Sequence, residues 1–141
     1  MGYLIDTNVL SEMRKGTRAD PNVQAWAARY IASEVFLSAL VVGEIRRGIE
    51  LVRRKDGEQA EAIERWLTTI TSSFGDRILP VTRQIAEEWG RLSVPDPVPV
   101  IDGLLAATAR VHSLTLVTRN VKDVARTGVS IVNPFEPLPA S

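Results

Sequence analysis

Tyr3-Leu4-Ile5-Asp6-Thr7-Asn8-Val9-Leu10 begins with three apolar residues, stops at a carboxylate, and resumes with apolar side chains at helical spacing through Met13. It reads as a short buried strand over 3–5 that delivers Asp6 from its carboxyl end into a helix or turn. The same grammar recurs down the chain. Asp20-Pro21 supplies a cap and a proline at the first helical position, after which Val23, Trp26, Ala27, Tyr30 and Ile31 mark one apolar helical face. Val35-Phe36-Leu37-Ser38 predicts a second strand, followed by a helix with Val42, Ile45, Ile49 and Val52 in one stripe and Gly57 as its breaker. Ile63, Trp66, Leu67, Ile70 and Phe74 predict a further helix closing at Gly75, then a strand over 77–81 and a helix through Ile85, Trp89 and Leu92. Pro95, Pro97 and Pro99 stand at alternate positions and force an extended loop, expected to end near Asp102. Residues 104–111 then read as helix, and 114–118 and 129–132 as the last strands.

Short strands, apolar on both faces and alternating with helices, predict an α/β fold: a short, mostly parallel sheet with helices on both faces. A chain of 141 residues has room for one such core. The expected domain runs over 1–135, with an unstructured tail at 136–141. In open α/β sheets ligands gather beyond the carboxyl ends of the strands. Asp6 ends the first strand, Glu44 follows the second, Asp102 lies at the start of a helix, and Asn120 and Asp123 follow the strand ending at Thr118. Four separate segments therefore bring acids or an amide to one edge. Carboxylates gathered there repel one another unless a cation neutralises them. With no cysteine and a single histidine in the sequence, the ligand set is all oxygen, which favours Mg²⁺ or Mn²⁺ over zinc. Such ions activate water and stabilise a leaving oxygen, so the expected chemistry is metal-assisted hydrolysis.

Composition narrows the field further. Lys+Arg and Asp+Glu both number 17, so no global basic excess advertises nucleic-acid binding, and no basic tail occurs. Zero cysteines exclude disulfides and thiol nucleophiles. No stretch approaches the roughly 18 apolar residues of a membrane span, and no basic n-region precedes the first apolar run, so a cytoplasmic protein without membrane contact is expected. Neither a Walker loop nor a Gly-x-Gly-x-x-Gly turn is present, so no nucleotide cofactor is expected.

Four blocks in order carry a resemblance: 4–12 (Leu-Ile-Asp-Thr-Asn-Val-Leu-Ser-Glu), 37–48 around Glu44, 102–109 (Asp-Gly-Leu-Leu-Ala-Ala-Thr-Ala) and 116–120 (Leu-Val-Thr-Arg-Asn). Together, and with Asn133-Pro134-Phe135 beyond them, they resemble a PIN-domain ribonuclease, most closely the VapC-type toxins of bacterial toxin–antitoxin pairs. The resemblance implies a Mg²⁺- or Mn²⁺-dependent endoribonuclease with Asp6, Glu44 and Asp102 as metal-binding acids. Thr7 and Asn8 match the family's Asp-Thr-Asn opening and would position Asp6, with Ser38 and Thr118 as further supports. Many relatives carry an acid directly after the last catalytic strand. Here Asn120 stands there, with Asp123 one helical turn on as a substitute ligand. The resemblance also implies an RNA substrate, a cognate VapB-like antitoxin seated against the segment 10–30, and a homodimer.

Each residue also has a plainer role. Asp6 and Asp102 could be helix caps, and Glu44 a partner of Arg47 three residues on. Arg46, Arg47 and Arg119 are candidate phosphate contacts, whereas Arg53, Arg54 and Lys55 read as a solvated helix face. His112 reads as packed or as a helix-dipole partner, and Trp26, Trp66 and Trp89 as core. Two other functions compete. A haloacid-dehalogenase-like phosphatase would use Asp6 as nucleophile, but it wants a second Asp where Asn8 stands. A non-catalytic RNA- or protein-binding module would tolerate the missing fourth acid.

Overall fold

The computed structural model describes residues 2–30 and 34–139. Ile31, expected on the second helical face, and the last two residues of the expected tail lie outside the described residues. Five strands, β1 (Gly2–Ile5), β2 (Glu34–Ser38), β3 (Ile78–Leu79), β4 (Thr115–Val117) and β5 (Ile131–Val132), form one sheet in the order β3-β2-β1-β4-β5. Every pairing is parallel, from Tyr3 opposite both Val35 and Thr115 to Leu116 opposite Ile131. A parallel sheet must be covered on both faces, and among the described residues seven α-helices do so: α1 (Thr7–Met13), α2 (Pro21–Tyr30), α3 (Ala39–Arg53), α4 (Gly57–Phe74), α5 (Arg83–Leu92), α6 (Val100–Val111) and α7 (Val121–Val124). They pack as two sets, α1 with α2 and α3 with α4 in one, α5 with α6 and α6 with α7 in the other. The expected α/β fold with helices on two sides is the one observed.

The core forms where the strands' alternating apolar faces meet the helical stripes. Leu4, Ile5, Val35, Leu37, Leu116 and Val117 are buried against Val9, Trp26, Val41, Ile49, Leu105 and Ala106. On α3 the buried stripe is Val41, Ile45 and Ile49, with Val42 and Val52 at its margin.

Three boundaries depart from expectation. Gly57 does not break α3: Asp56 caps α4, accepting a hydrogen bond from the Gln59 backbone N–H, and Gly57 is the first helical residue. The strand expected over 77–81 shrinks to Ile78–Leu79, because Gly75–Arg77 coils into a 3-10 turn and Pro80 has no N–H to pair. The proline loop ends at Pro99 rather than near Asp102, which lies inside the first turn of α6. Proline is well placed at a helix start, where its missing N–H would be unpaired anyway. Gly75 closes α4 as expected, at a positive φ of 52° that a side chain would resist.

The predicted tail has no helix or strand through Pro139, although Leu138 packs against the core. No helix among the described residues is long and apolar enough to cross a membrane.

Candidate functional site

The strand order reverses direction at β1, between β2 and β4, and the crevice beyond the carboxyl ends of β1 and β4 is where this kind of sheet binds ligands. Asp6 leaves β1 at that point, 5 % exposed, with its own N–H donating to the Val117 carbonyl at 2.9 Å. It also caps α1, as the plain reading of the sequence allowed: Oδ1 accepts from the Thr7 N–H at 2.7 Å. Oδ2 accepts from Thr118 Oγ1 at 2.6 Å and from Asn8 Nδ2 at 3.2 Å. Thr118 is buried at the end of β4, and its hydroxyl in turn accepts from the Asn120 N–H at 3.0 Å. Asn8 faces the same loop from the other side, accepting from the Arg119 N–H at 3.2 Å.

Glu44 reaches this crevice from α3. Ser38, fully buried at the end of β2, caps that helix through the Leu40 N–H at 3.0 Å and so fixes its start. Glu44 Oε1 accepts from Thr7 Oγ1 at 2.5 Å, a bond across 37 residues of sequence. Thr7, and not Arg47, is its partner. Asp102 comes from the opposite helical set. Burial, then the negative charges of Asp6, Asp123 and Glu44, push its carboxyl up to about 6 from 3.8, against the opposing pull of a hydrogen bond from the Asn120 side chain. Three of the acids singled out in the sequence thus act electrostatically on the fourth, Asp102.

Among the described residues, no three His, Cys, Asp or Glu side chains are grouped closely enough to form a ready-made metal cage. The donor chemistry nonetheless fits a hard divalent ion. The converging groups are carboxylates, the hydroxyls of Thr7 and Thr118 and the amides of Asn8 and Asn120, and among the described residues no Lys or Arg forms an ion pair with Asp6, Glu44, Asp102 or Asp123.

The basic residues divide. Arg46 is committed at the α3–α4 seam, pairing with Glu50 at 3.3 Å and with Glu64, where Arg53 joins the same carboxylates. Arg47 borders a cleft of about 520 Å³ with Leu40, Glu44, Val81 and Ile101. Arg119 is exposed at the mouth of the crevice, its guanidinium 4.5 Å from the centre of the Phe135 ring. The backbone carbonyl of Phe135 accepts from Asn22 Nδ2 at 2.8 Å, which ties this segment to α2. Sequence reasoning placed Phe135 in the matching pattern but gave it no task.

His112 is exposed at the end of α6, not packed. Of the three tryptophans only Trp26 is core. Trp66 is half-buried beside Arg14, and Trp89 is half-buried against α6.

A PIN domain family model matches residues 3–129. Toxin FitB of Neisseria gonorrhoeae is 34 % identical over 140 residues, covering 94 % of this chain and 97 % of its own. The VapC ribonuclease Y4jK of Sinorhizobium fredii is 29 % identical over 140 residues, covering 95 % and 98 %. The crystal structure of FitAcB from Neisseria gonorrhoeae matches with a TM-score of 0.84 at 32 % identity, covering 94 % of this chain and 98 % of that one.

Proposed function

The chain belongs to the PIN-domain family, in its VapC-type toxin branch, and from that membership we propose that it is a Mg²⁺- or Mn²⁺-dependent endoribonuclease held in check by an antitoxin. The observation that supports the proposal is that Asp6 and Glu44 are turned into one crevice by neutral donors, Thr7, Asn8 and Thr118, while the Asp102 carboxyl is pushed up first by burial and then by the charges of Asp6, Asp123 and Glu44. An uncompensated acidic hollow at the switch point of a parallel sheet suits a cation and, through it, a phosphodiester. A relative of this branch bears the name ribonuclease.

Asp6, Glu44 and Asp102 would hold the ion, with Asp123 as an additional acid and Asn120 as a neutral oxygen. When bound, the ion would make a water more acidic and supply positive charge for the leaving oxygen. The rest is work for the chain itself. Thr118, Asn8 and the Thr7 N–H fix the orientation of the Asp6 carboxylate. The Thr7 hydroxyl holds Glu44 at the crevice from the side of α1, and Asn120 holds Asp102 from the side of β4. Arg119 and Arg47, at the rim, would bind phosphates flanking the scissile bond and carry the register of the RNA. Arg46, already paired, contributes to the seam between α3 and α4.

The antitoxin would cover the apolar groove of about 360 Å³ lined by Met13, Ala19, Val23 and Ala27, within the segment the sequence assigned to it. A homodimer and a cytoplasmic location complete the proposal. Membership of the PIN family leaves the phosphatase alternative without support, and an active nuclease would exclude the purely binding module.

Incubating purified protein with RNA and Mg²⁺ or Mn²⁺, beside Asp6→Ala, tests the reading. Cleavage by the wild type alone is expected. Equal cleavage by both proteins, or none by either at any divalent ion concentration, would overturn it.

A further inference from the structure

We infer that Trp89 and Gly103 act together as positioning residues for Asp102: the indole edge of Trp89 lies against a helix surface from which a Cβ is missing, and this close approach sets where the Asp102 carboxylate enters the acidic hollow. The inference rests on the reading of Asp102 as a metal-binding acid.

Gly103 is buried inside α6 in a conformation any residue adopts there, so backbone freedom does not account for it. A glycine in a helix interior is unfavourable relative to alanine. What the position lacks is room. A Cβ at 103 would lie 2.9 Å from Cδ1 and 3.1 Å from Nε1 of Trp89, and 3.5 Å from Cβ of Val98, the buried residue of the proline loop. The indole itself accepts a penalty at this spot, because its Nε1 is buried with no hydrogen-bond partner among the described residues. Buried tryptophans ordinarily find an acceptor. Two locally unfavourable choices thus meet at one contact, and each makes sense only as a way of bringing α6 against α5. Breaches of local rules that coincide in this way tend to mark functional positions.

The contact has leverage because of where it lies. Asp102 is the neighbouring residue, in the first turn of α6, and that turn starts at Pro99 with no side-chain cap. Beyond the Gly103 N–H bond to the Pro99 carbonyl at 2.8 Å, the first turn is held by packing against Trp89 and Val98. A methyl group at 103 would need the two helices to separate by about 0.5–1 Å to reach ordinary contact distances. A displacement of that size at a reacting centre costs on the order of a hundredfold.

The test compares wild type, G103A, W89A and G103A/W89A by Mn²⁺ affinity from electron paramagnetic resonance, by the metal dependence of RNA cleavage, and by melting temperature. G103A is expected to bind Mn²⁺ about tenfold or more weakly and to lose kcat with an unchanged KM for RNA. W89A is expected to bind Mn²⁺ at least about threefold more weakly than wild type, and G103A/W89A to recover from the G103A level to that of W89A, since without the indole no ring atom opposes the methyl. A purely structural contact predicts otherwise: a lower melting temperature for G103A, normal Mn²⁺ affinity in the folded protein, and no recovery in the double variant. That pattern overturns the inference. Should G103A fail to fold, W89A carries the test by removing the wall: at least threefold weaker Mn²⁺ binding supports the inference, and unchanged binding overturns it. A wild-type protein that neither binds Mn²⁺ nor cleaves RNA overturns the ribonuclease reading and this inference with it, whereas an active wild type with an indifferent G103A overturns the positioning role alone.

Discussion

Replacing Asp102 by Asn should stabilise the metal-free fold while abolishing RNA cleavage. Burial first, and then the charges of Asp6, Asp123 and Glu44, raise this carboxyl to about 6 from an ordinary 3.8. Because the folded-state value is the higher one, the native protein keeps its proton to higher pH than the unfolded chain does. The ionised group therefore opposes folding above about pH 6, and the opposition fades as pH falls towards 3.8. Unscreened, a rise of that size is worth about 3 kcal/mol, and solvent screening at a partly exposed carboxyl reduces it to about 1 kcal/mol. For a chain of this length that is roughly 4 °C in Tm. Calorimetric melting of wild type and Asp102→Asn in chelator, at pH 7.5 and 4.5, measures it. The variant should melt higher by that margin at pH 7.5, and the gap should shrink by more than half at pH 4.5. Added Mg²⁺ should raise the Tm of the wild type more than that of the variant. Equal melting at pH 7.5, or a gap that widens on acidification, would show that the acids do not press on Asp102 as the geometry requires.

Thr118→Val removes a hydroxyl that donates to Asp6 and accepts from the Asn120 N–H, so urea unfolding should show a loss of about 2 kcal/mol, and cleavage should fall with it. Ser38→Ala removes the cap of α3, costing about 1 kcal/mol in the same assay and disturbing the helix that carries Glu44. Arg119→Ala should raise KM for RNA several-fold and lessen the salt dependence of binding by about one phosphate contact, with no change in Mn²⁺ affinity. A changed Mn²⁺ affinity would place Arg119 in the metal site instead.

The first strand and its carboxylate were legible because everything they need is local: three apolar residues, then Asp6, then a helix that Asp6 itself caps. Glu44 was not legible alone, since a glutamate on an amphipathic helix is ordinarily solvated. Its partner Thr7 lies 37 residues away, and only the fold brings them together. Gly57 and the proline loop misled for one reason. Glycine and proline were read as interruptions, whereas here Asp56 caps a helix that Gly57 begins, and Pro99 immediately precedes another. The packing of Trp89 on Gly103 was beyond reach, because the approach of α5 to α6 depends on the course of the loop between them. The fold was thus readable wherever periodicity is strong. The site was readable where strands end in acids, and unreadable where helices meet.

The way the acids are held argues for what they do. A carboxylate kept for structure is most economically satisfied by a nearby cation, as Glu64 is by Arg46 and Arg53, with its carboxyl drawn below the ordinary value by those partners. In the crevice the opposite choice is made. Asp6 is held by two hydroxyl or amide side chains and a backbone N–H, Glu44 by a hydroxyl, and Asp102 by an amide. Neutral donors fix the direction of a carboxylate without cancelling its charge, so the negative potential survives folding. Its cost falls on Asp102, raised first by burial and then by the acids around it, whereas Glu64 is lowered by its arginines. A protein that needed these acids only for packing would gain stability from a single lysine among them. Placing one there, as Asn120→Lys, should raise the metal-free melting temperature and cancel the stabilisation by Mg²⁺. A lysine that leaves both unchanged would mean that the hollow has no need of a cation.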